Sequence, residues 1–262
     1  MRFMPKWRLR KPAQDARTVY VSEQYGVRSL HIGSDTVQSA MRLARPDDLE
    51  LSYTRAMMGC LLFKPEPRDV LMVGLGGGSV AKFLRRHYPD TRLRVLEIDP
   101  QVVAVARQCF AVPANDARFD VIIGDGAEYL ERGDIRADLI MVDGYEAESQ
   151  AEALATAQFY RHCRERLVTG GMLVINLWGG DRSFNTVLAR IRGVFSAGVL
   201  CLPARRQGNV IALAFRDPPG ALNWIDLNER AAQLENRLGM EFPEFVAALA
   251  RMNPCDDRHL YV

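Results

Sequence analysis

The residues best placed to do chemistry in this chain are a glycine cluster and three acids, each following an apolar run. Residues 70–73 are Val, Leu, Met and Val, and Gly74, Leu75, Gly76, Gly77, Gly78 and Ser79 follow at once. A second run ends on Glu97, before Ile98, Asp99 and Pro100. A third ends at Gly124, Asp125 and Gly126, and a fourth at Asp143, Gly144, Tyr145 and Glu146. Glycine lets backbone approach a ligand closely, and a helix opening at Ser79 offers unpaired N–H groups. An acid at the end of the next strand sits at a distance suited to gripping both hydroxyls of a ribose. Together these residues describe a nucleoside holder.

The glycines alone do not choose the nucleoside, because Gly76, Gly78 and Ala81 also keep the register of a nicotinamide-dinucleotide fingerprint. A glycine turn that merely packs a helix on a strand is the plainer alternative. It leaves unexplained why successive strand ends carry glycine or carboxylate. In an open parallel sheet, ligands bind outside the carboxyl ends of the strands, where Gly74 to Gly78, Glu97, Asp125 and Asp143 would converge.

The elements that must position these residues follow from periodicity. Residues 17–44 alternate apolar and polar around a turn at Tyr25 and Gly26, which predicts a small β-hairpin or meander. Residues 49–63 read as a helix with Leu51, Met58, Leu61 and Leu62 on its apolar face. Strands and helices then alternate to about Phe215. Asp99 and Pro100 are a helix start, residues 150–166 read as one helix, and Thr169, Gly170 and Gly171 as its terminator. Residues 183–195 form a further helix. The last strands, 198–202 and 209–215, are placed to close an antiparallel edge, and two short helices follow at about 224–237 and 242–251. The expected units are residues 1–66 (basic arm, small β-domain and helix), 67–216 (nucleoside-binding α/β domain) and 217–262 (helical extension).

Composition bounds the rest. The chain has 262 residues, 48% hydrophobic and 25% charged, with a net charge of +2, which suits a soluble enzyme-sized core and gives no mandate for nucleic acid. The basic start (Arg2, Lys6, Arg8, Arg10, Lys11 and Arg17 against Asp15) reads as a solvated arm without the apolar core of a signal peptide. No run reaches membrane-spanning length. The 5 cysteines never pair as C-x-x-C and read as free thiols in a reducing cytoplasm. The 4 histidines lack ligand-like spacing, so no metal is expected.

A β-rich segment before the glycine loop and a hairpin-like end to the sheet are the layout of adenosylmethionine-dependent transferases. From about residue 17 to 215 the chain resembles the spermidine synthase family of polyamine aminopropyltransferases. The residues that carry the likeness are Tyr25, Gly26, Leu30, Asp35, Gln38, Tyr53, the glycine loop, Glu97, Ile98, Asp99, Asp125, Gly126 and Asp143. The resemblance implies a class I methyltransferase-like (Rossmann-like) α/β three-layer sandwich behind a small N-terminal β-domain. It implies decarboxylated S-adenosylmethionine as donor, a diamine such as putrescine as acceptor, no prosthetic group, and a homodimer. Donor binding would fall to Gly74, Gly76, Gly77, Gly78, Glu97 (ribose), Ile98, Asp125 and Gly126 (adenine), and Gln38. Asp143 would position the acceptor amine, with Glu146 or Tyr145 helping to take its proton. Tyr53, Glu50 and Trp178 are the acceptor-side candidates; for Tyr53 and Trp178 simple packing is the competing reading.

The chain departs from the family pattern in the amine half. Glu146 stands where the second aspartate of Asp-x-x-Asp is usual, and Gly77 where the loop usually carries an Asp for the donor's amine. Arg55 follows Tyr53 where an acid is common and would repel a diamine if it faced the pocket. S-adenosylmethionine-dependent methyl transfer therefore stays open as the alternative, with Arg55 or Arg86 as candidate partners for that donor's carboxylate, and so does a nucleoside-binding protein that has lost turnover.

Overall fold

The computed structural model describes residues 18–146, 149–196, 198–205 and 208–262; the basic arm lies outside them. Strands β1 (Val19–Gln24), β2 (Val27–Ile32) and β3 (Val37–Arg42) form an antiparallel meander. Its first turn puts Tyr25 and Gly26 at φ of 52° and 73°, the left-handed pair that matches the twist of a two-residue hairpin. The expected helix over 49–63 is shorter: α1 (Ser52–Met57) tightens into a 3-10 turn, Met58–Leu62. There Gly59 lies so close to Leu202 that a Cβ would meet its Cδ2 at 2.4 Å.

The main sheet alternates with helices: β4 (Asp69–Val73), α2 (Ser79–His87), β5 (Arg92–Glu97), α3 (Pro100–Cys109), β6 (Phe119–Ile123), α4 (Gly126–Arg132) and β7 (Ala137–Val142). After the short pair β8 (Tyr145–Glu146) and β9 (Ser149–Gln150) come α5 (Ala157–Arg166), β10 (Leu167–Trp178), α6 (Phe184–Val194), β11 (Val199–Pro203) and β12 (Asn209–Phe215). The strand order is β11-β12-β10-β7-β4-β5-β6, with β12 antiparallel to both neighbours. Side chains alternate across the sheet. Val70 and Met72 join α1, α2 and the C-terminal helices in one core, while Leu71 and Val73 join α4, α5 and α6 in the other. This is the expected three-layer α/β sandwich.

Two local expectations fail for reasons visible in the chain. The helix expected over 150–166 begins only at Ala157, because Thr156 is extended and its hydroxyl accepts from the Phe159 N–H at 3.0 Å, a cap that starts a helix. The glycines after it do not end that helix, which stops at Arg166; they lie within β10, where its register against β7 shifts between Leu167 and Met172. Beyond β13 (Ala221–Asn223), α7 (Trp224–Leu238) and α8 (Phe242–Leu249) pack into the first core, and β14 (His259–Tyr261) pairs back on β13.

β5 and β6 build outward from one side of β4 and β7 from the other, so the strand order switches at the β4–β7 junction, where such sheets bind ligands. Lys82 of α2 helps hold the N-terminal meander over this point. Its buried ammonium donates to the carbonyls of Pro46 and Phe110, both at 2.7 Å, and contacts Met41 Sδ at 3.1 Å. With carbonyls for partners, burial brings its pKa down to about 8.

Candidate active site

A cleft of about 290 Å³ opens at the switch point, between the meander, the glycine loop and the carboxyl ends of β5, β6 and β7. Gly74 lets the ends of β4 and β7 touch: its φ is +98°, and a Cβ would meet the Asp143 carbonyl oxygen at 2.3 Å. Gly74 and Gly76 line the cleft, whereas Gly77 and Gly78 are not among its described lining residues. At Gly77, where an acid is usual in the resembling family, a Cβ would stand 2.7 Å from Ser39 Oγ and 2.9 Å from Phe110 Cδ1. The space for that acid is filled by neighbouring residues. Ser39 also meets Ser79 Oγ at 3.2 Å, fixing the helix opening beneath β3.

The acids at the ends of β5 and β6 are held by backbone. Glu97 is buried; its Oε2 accepts from the Leu75 N–H at 2.9 Å and its Oε1 from the Asp99 N–H at 3.0 Å. Burial raises its pKa above the usual carboxylate value, and the backbone donors pull against that rise. Asp125 is the N-cap of α4, its Oδ1 accepting from Ala127 N–H at 2.7 Å and Glu128 N–H at 3.3 Å. Asp125, Gly126 and the exposed Ile98 all line the cleft.

Asp143 lines the opposite wall. Desolvation raises its pKa, opposed by hydrogen bonds from Asn176 and Tyr53. Asn176 Nδ2 donates to Asp143 Oδ1 at 2.8 Å, and Asn209 Nδ2 donates to Asn176 Oδ1 at 2.9 Å. The Tyr53 hydroxyl also reaches the Gln38 carbonyl at 3.1 Å, and Tyr53 and Gln38 both face the cleft. Tyr145 and Glu146 contribute backbone to β8; their side chains lie outside the described residues.

Two acceptor-side candidates stand elsewhere. Glu50 is bound by Arg42 at 2.6 Å and is absent from the described cleft wall. Trp178 is 42% exposed and also outside that wall, its indole folded over Gly180. Glu152, within the stretch expected as the 150–166 helix, instead lines the cleft from a 3-10 turn, Glu152–Ala155.

The charge of the wall is one-sided. Its described residues include Glu97, Asp125, Asp143 and Glu152, and no Lys, Arg or His. Arg55 turns to the carboxylate of Glu241 on the C-terminal unit, its Nε accepted at 2.9 Å, and Arg86 pairs with Asp47 at 3.0 Å. Both cations considered for a donor carboxylate are committed to other partners. Among the described residues no cluster of His, Cys, Asp and Glu could hold a metal ion, and no helix is long and apolar enough to cross a membrane.

Asn176 and Asn209 escaped the sequence reading of the site. Asn176 ends an apolar run, so the rule applied to Glu97 could have found it. Asn209 begins its strand, and only the antiparallel pairing brings it to this edge.

Residues 50–210 match the model of the spermine/spermidine synthase domain. A polyamine aminopropyltransferase of Neisseria meningitidis serogroup B is 41% identical over 259 residues, 98% of each chain. A solved structure of a probable spermidine synthase from Corynebacterium glutamicum superposes with a TM-score of 0.70 at 20% identity, covering 91% of this chain and 94% of its own. Human methyltransferase-like protein 13 in complex with SAH superposes with a TM-score of 0.65 at 26% identity, over 79% of this chain and 96% of its own.

Proposed function

This chain belongs to the spermine/spermidine synthase family, and from that membership we propose that its cleft moves an aminopropyl group from decarboxylated S-adenosylmethionine to a diamine such as putrescine. The observation that carries the choice of donor is the wall of carboxylates without a described cation. Decarboxylated donor and amine acceptor are both cationic, and acids select and place them. Intact S-adenosylmethionine carries an additional carboxylate, which this wall repels and leaves unpaired. That is why aminopropyl transfer is favoured over methyl transfer here.

In this reading Glu97 takes the ribose hydroxyls, Asp125 and Gly126 the adenine amino edge, and the glycine loop the sulfonium side. Asp143 holds the attacking amine, with Tyr53 and Gln38 beside it and Tyr145 and Glu146 on the adjoining strand. The amine nitrogen attacks the aminopropyl carbon bonded to sulfur. The C–N bond forms as the C–S bond breaks, the electron pair returns to sulfur, and methylthioadenosine leaves as a neutral thioether that needs no acid. The nitrogen's proton passes to a carboxylate of the site. No prosthetic group or metal takes part.

The proposal extends to a cytoplasmic homodimer, with residues 1–66, 67–216 and 217–262 as its units and no role for membrane or nucleic acid. The cysteines are free thiols, in keeping with a reducing compartment. Calorimetry with decarboxylated S-adenosylmethionine, methylthioadenosine and intact S-adenosylmethionine tests the donor. Preference for the first two is expected. Tighter binding of the carboxylated donor would overturn the reading in favour of methyl transfer. Sedimentation of the pure protein tests the dimer.

A further inference from the structure

Three strand ends meet behind Asp143. β7 and β10 run parallel with Val142 beside Ile175, which brings Asn176 alongside Asp143. β12 runs antiparallel to β10 with Asn209 opposite Trp178, so its first residue arrives where its neighbours end. Both asparagines are buried, and neither is among the described residues of the cleft wall.

An asparagine amide has one donor end and one acceptor end, and which way it points is decided by its partners. Asn209 donates to Asn176 Oδ1 and thereby turns the Asn176 NH₂ toward Asp143 Oδ1. The flipped amide would set oxygen against carboxylate on one side and NH₂ against NH₂ on the other. We propose that Asn176 and Asn209 are positioning residues, an amide relay that fixes the Asp143 carboxylate for the attacking amine. The assignment of that amine rests on the aminopropyl-transfer reading above.

The relay has two consequences for the chemistry. It anchors one carboxylate oxygen of an acid that lines the cleft, and misplacing a reacting group is costly. It also supplies a donor to the ionised acid, opposing the desolvation that favours the protonated one. An Asp143 that has lost this donor holds its proton to higher pH and is less often ready to receive another.

Asn209→Leu removes the group that orients the Asn176 amide at nearly constant volume, and Asn209→Ala removes it without any risk of overpacking. The readouts are the Asp143 pKa, followed by carboxyl ¹³C resonance, the pH profile of kcat, and calorimetric binding of methylthioadenosine. The relay predicts an Asp143 pKa higher by about half to one unit, with the acidic limb of kcat moving the same way. It predicts kcat lower by roughly tenfold at the optimum, with methylthioadenosine affinity unchanged. An unaltered Asp143 pKa in either folded variant overturns the relay, because a merely structural asparagine would not move it. Wild-type protein without aminopropyl transfer, but with the pKa response intact, would remove the reaction and leave the relay standing.

Discussion

The two halves of the cleft are held by different means. On the side proposed for the nucleoside each acid is anchored by backbone N–H groups close in sequence or from the adjoining loop: Asp125 by the start of its own helix, Glu97 by Asp99 and Leu75. On the side proposed for the acceptor, Asp143 is anchored by side chains from distant strands and a distant helix, Asn176 and Tyr53, with Asn209 behind Asn176. A backbone donor is fixed once the fold forms, whereas a side-chain donor depends on its own partner. The nucleoside half should therefore fail in binding and the acceptor half in turnover.

The largest expected effect tests that division. Asp143→Asn should lower kcat by about a thousandfold while methylthioadenosine affinity, by calorimetry, changes little. Asp143 also sets a pH signature. Its folded pKa is raised by burial, so the wild-type kcat is expected to start falling above the ordinary carboxylate range as pH decreases, which a kcat–pH profile checks. The stability sign is the opposite of that of a paired surface acid. The folded state keeps its proton where the unfolded state has lost it, so this group's contribution to stability declines as pH rises between the unfolded and folded pKa values. Asp143→Asn removes that cost and should unfold in urea at neutral pH no earlier than wild type. Earlier unfolding would mean that the carboxylate is structural.

Glu97→Ala should come next, weakening methylthioadenosine binding by about a hundredfold through lost charge-assisted hydrogen bonds. Turnover at saturating donor should change far less. If kcat fell as sharply as affinity, the two halves would not be separable and the comparison would break.

That division also explains what could be read from the chain. The glycine loop, Glu97, Asp125 after its apolar run, and the helix start at Asp99 are local signals, a few residues that fix their own backbone, and the sheet follows from the apolar runs between them. Thr156 is as local a signal, an N-cap that starts α5 at Ala157 and shortens the helix that periodicity alone extends to residue 150. Asn209 gave no local signal, since a polar residue before an apolar run looks like any strand start. Its place at the site depends on β12 running antiparallel. Arg55 shows the same limit: two residues past Tyr53 it looks hostile to a cationic substrate, and only the fold brings Glu241 to it.

Gly77→Asp sharpens the comparison at a smaller scale, because it restores the acid usual in the family. Ser39 Oγ and Phe110 Cδ1 lie where its Cβ would go. The variant should lose about 1–3 kcal/mol of stability through overpacking, measured by urea unfolding, and gain no affinity for the decarboxylated donor. A tighter donor without loss of stability would mean that the loop has room for the acid after all.

The smallest effect falls where the C-terminal unit meets the acceptor side. Glu241 neutralises Arg55 through a largely sheltered ion pair, and each partner's pKa shifts toward keeping its charge. Glu241→Gln leaves Arg55 positive two residues from Tyr53, and its field should raise KM for a diamine by roughly two- to fivefold, in keeping with the modest worth of partly exposed charge pairs. Donor affinity and kcat should stay near wild type. Salt should shrink the effect, since screening acts on a charge that is no longer paired. Arg55→Gln combined with Glu241→Gln should restore KM, because removing both charges leaves the net field unchanged. A double variant as impaired as the single one would assign the pair to holding α1 in place, and charge would no longer explain why this family member carries an arginine beside its acceptor site.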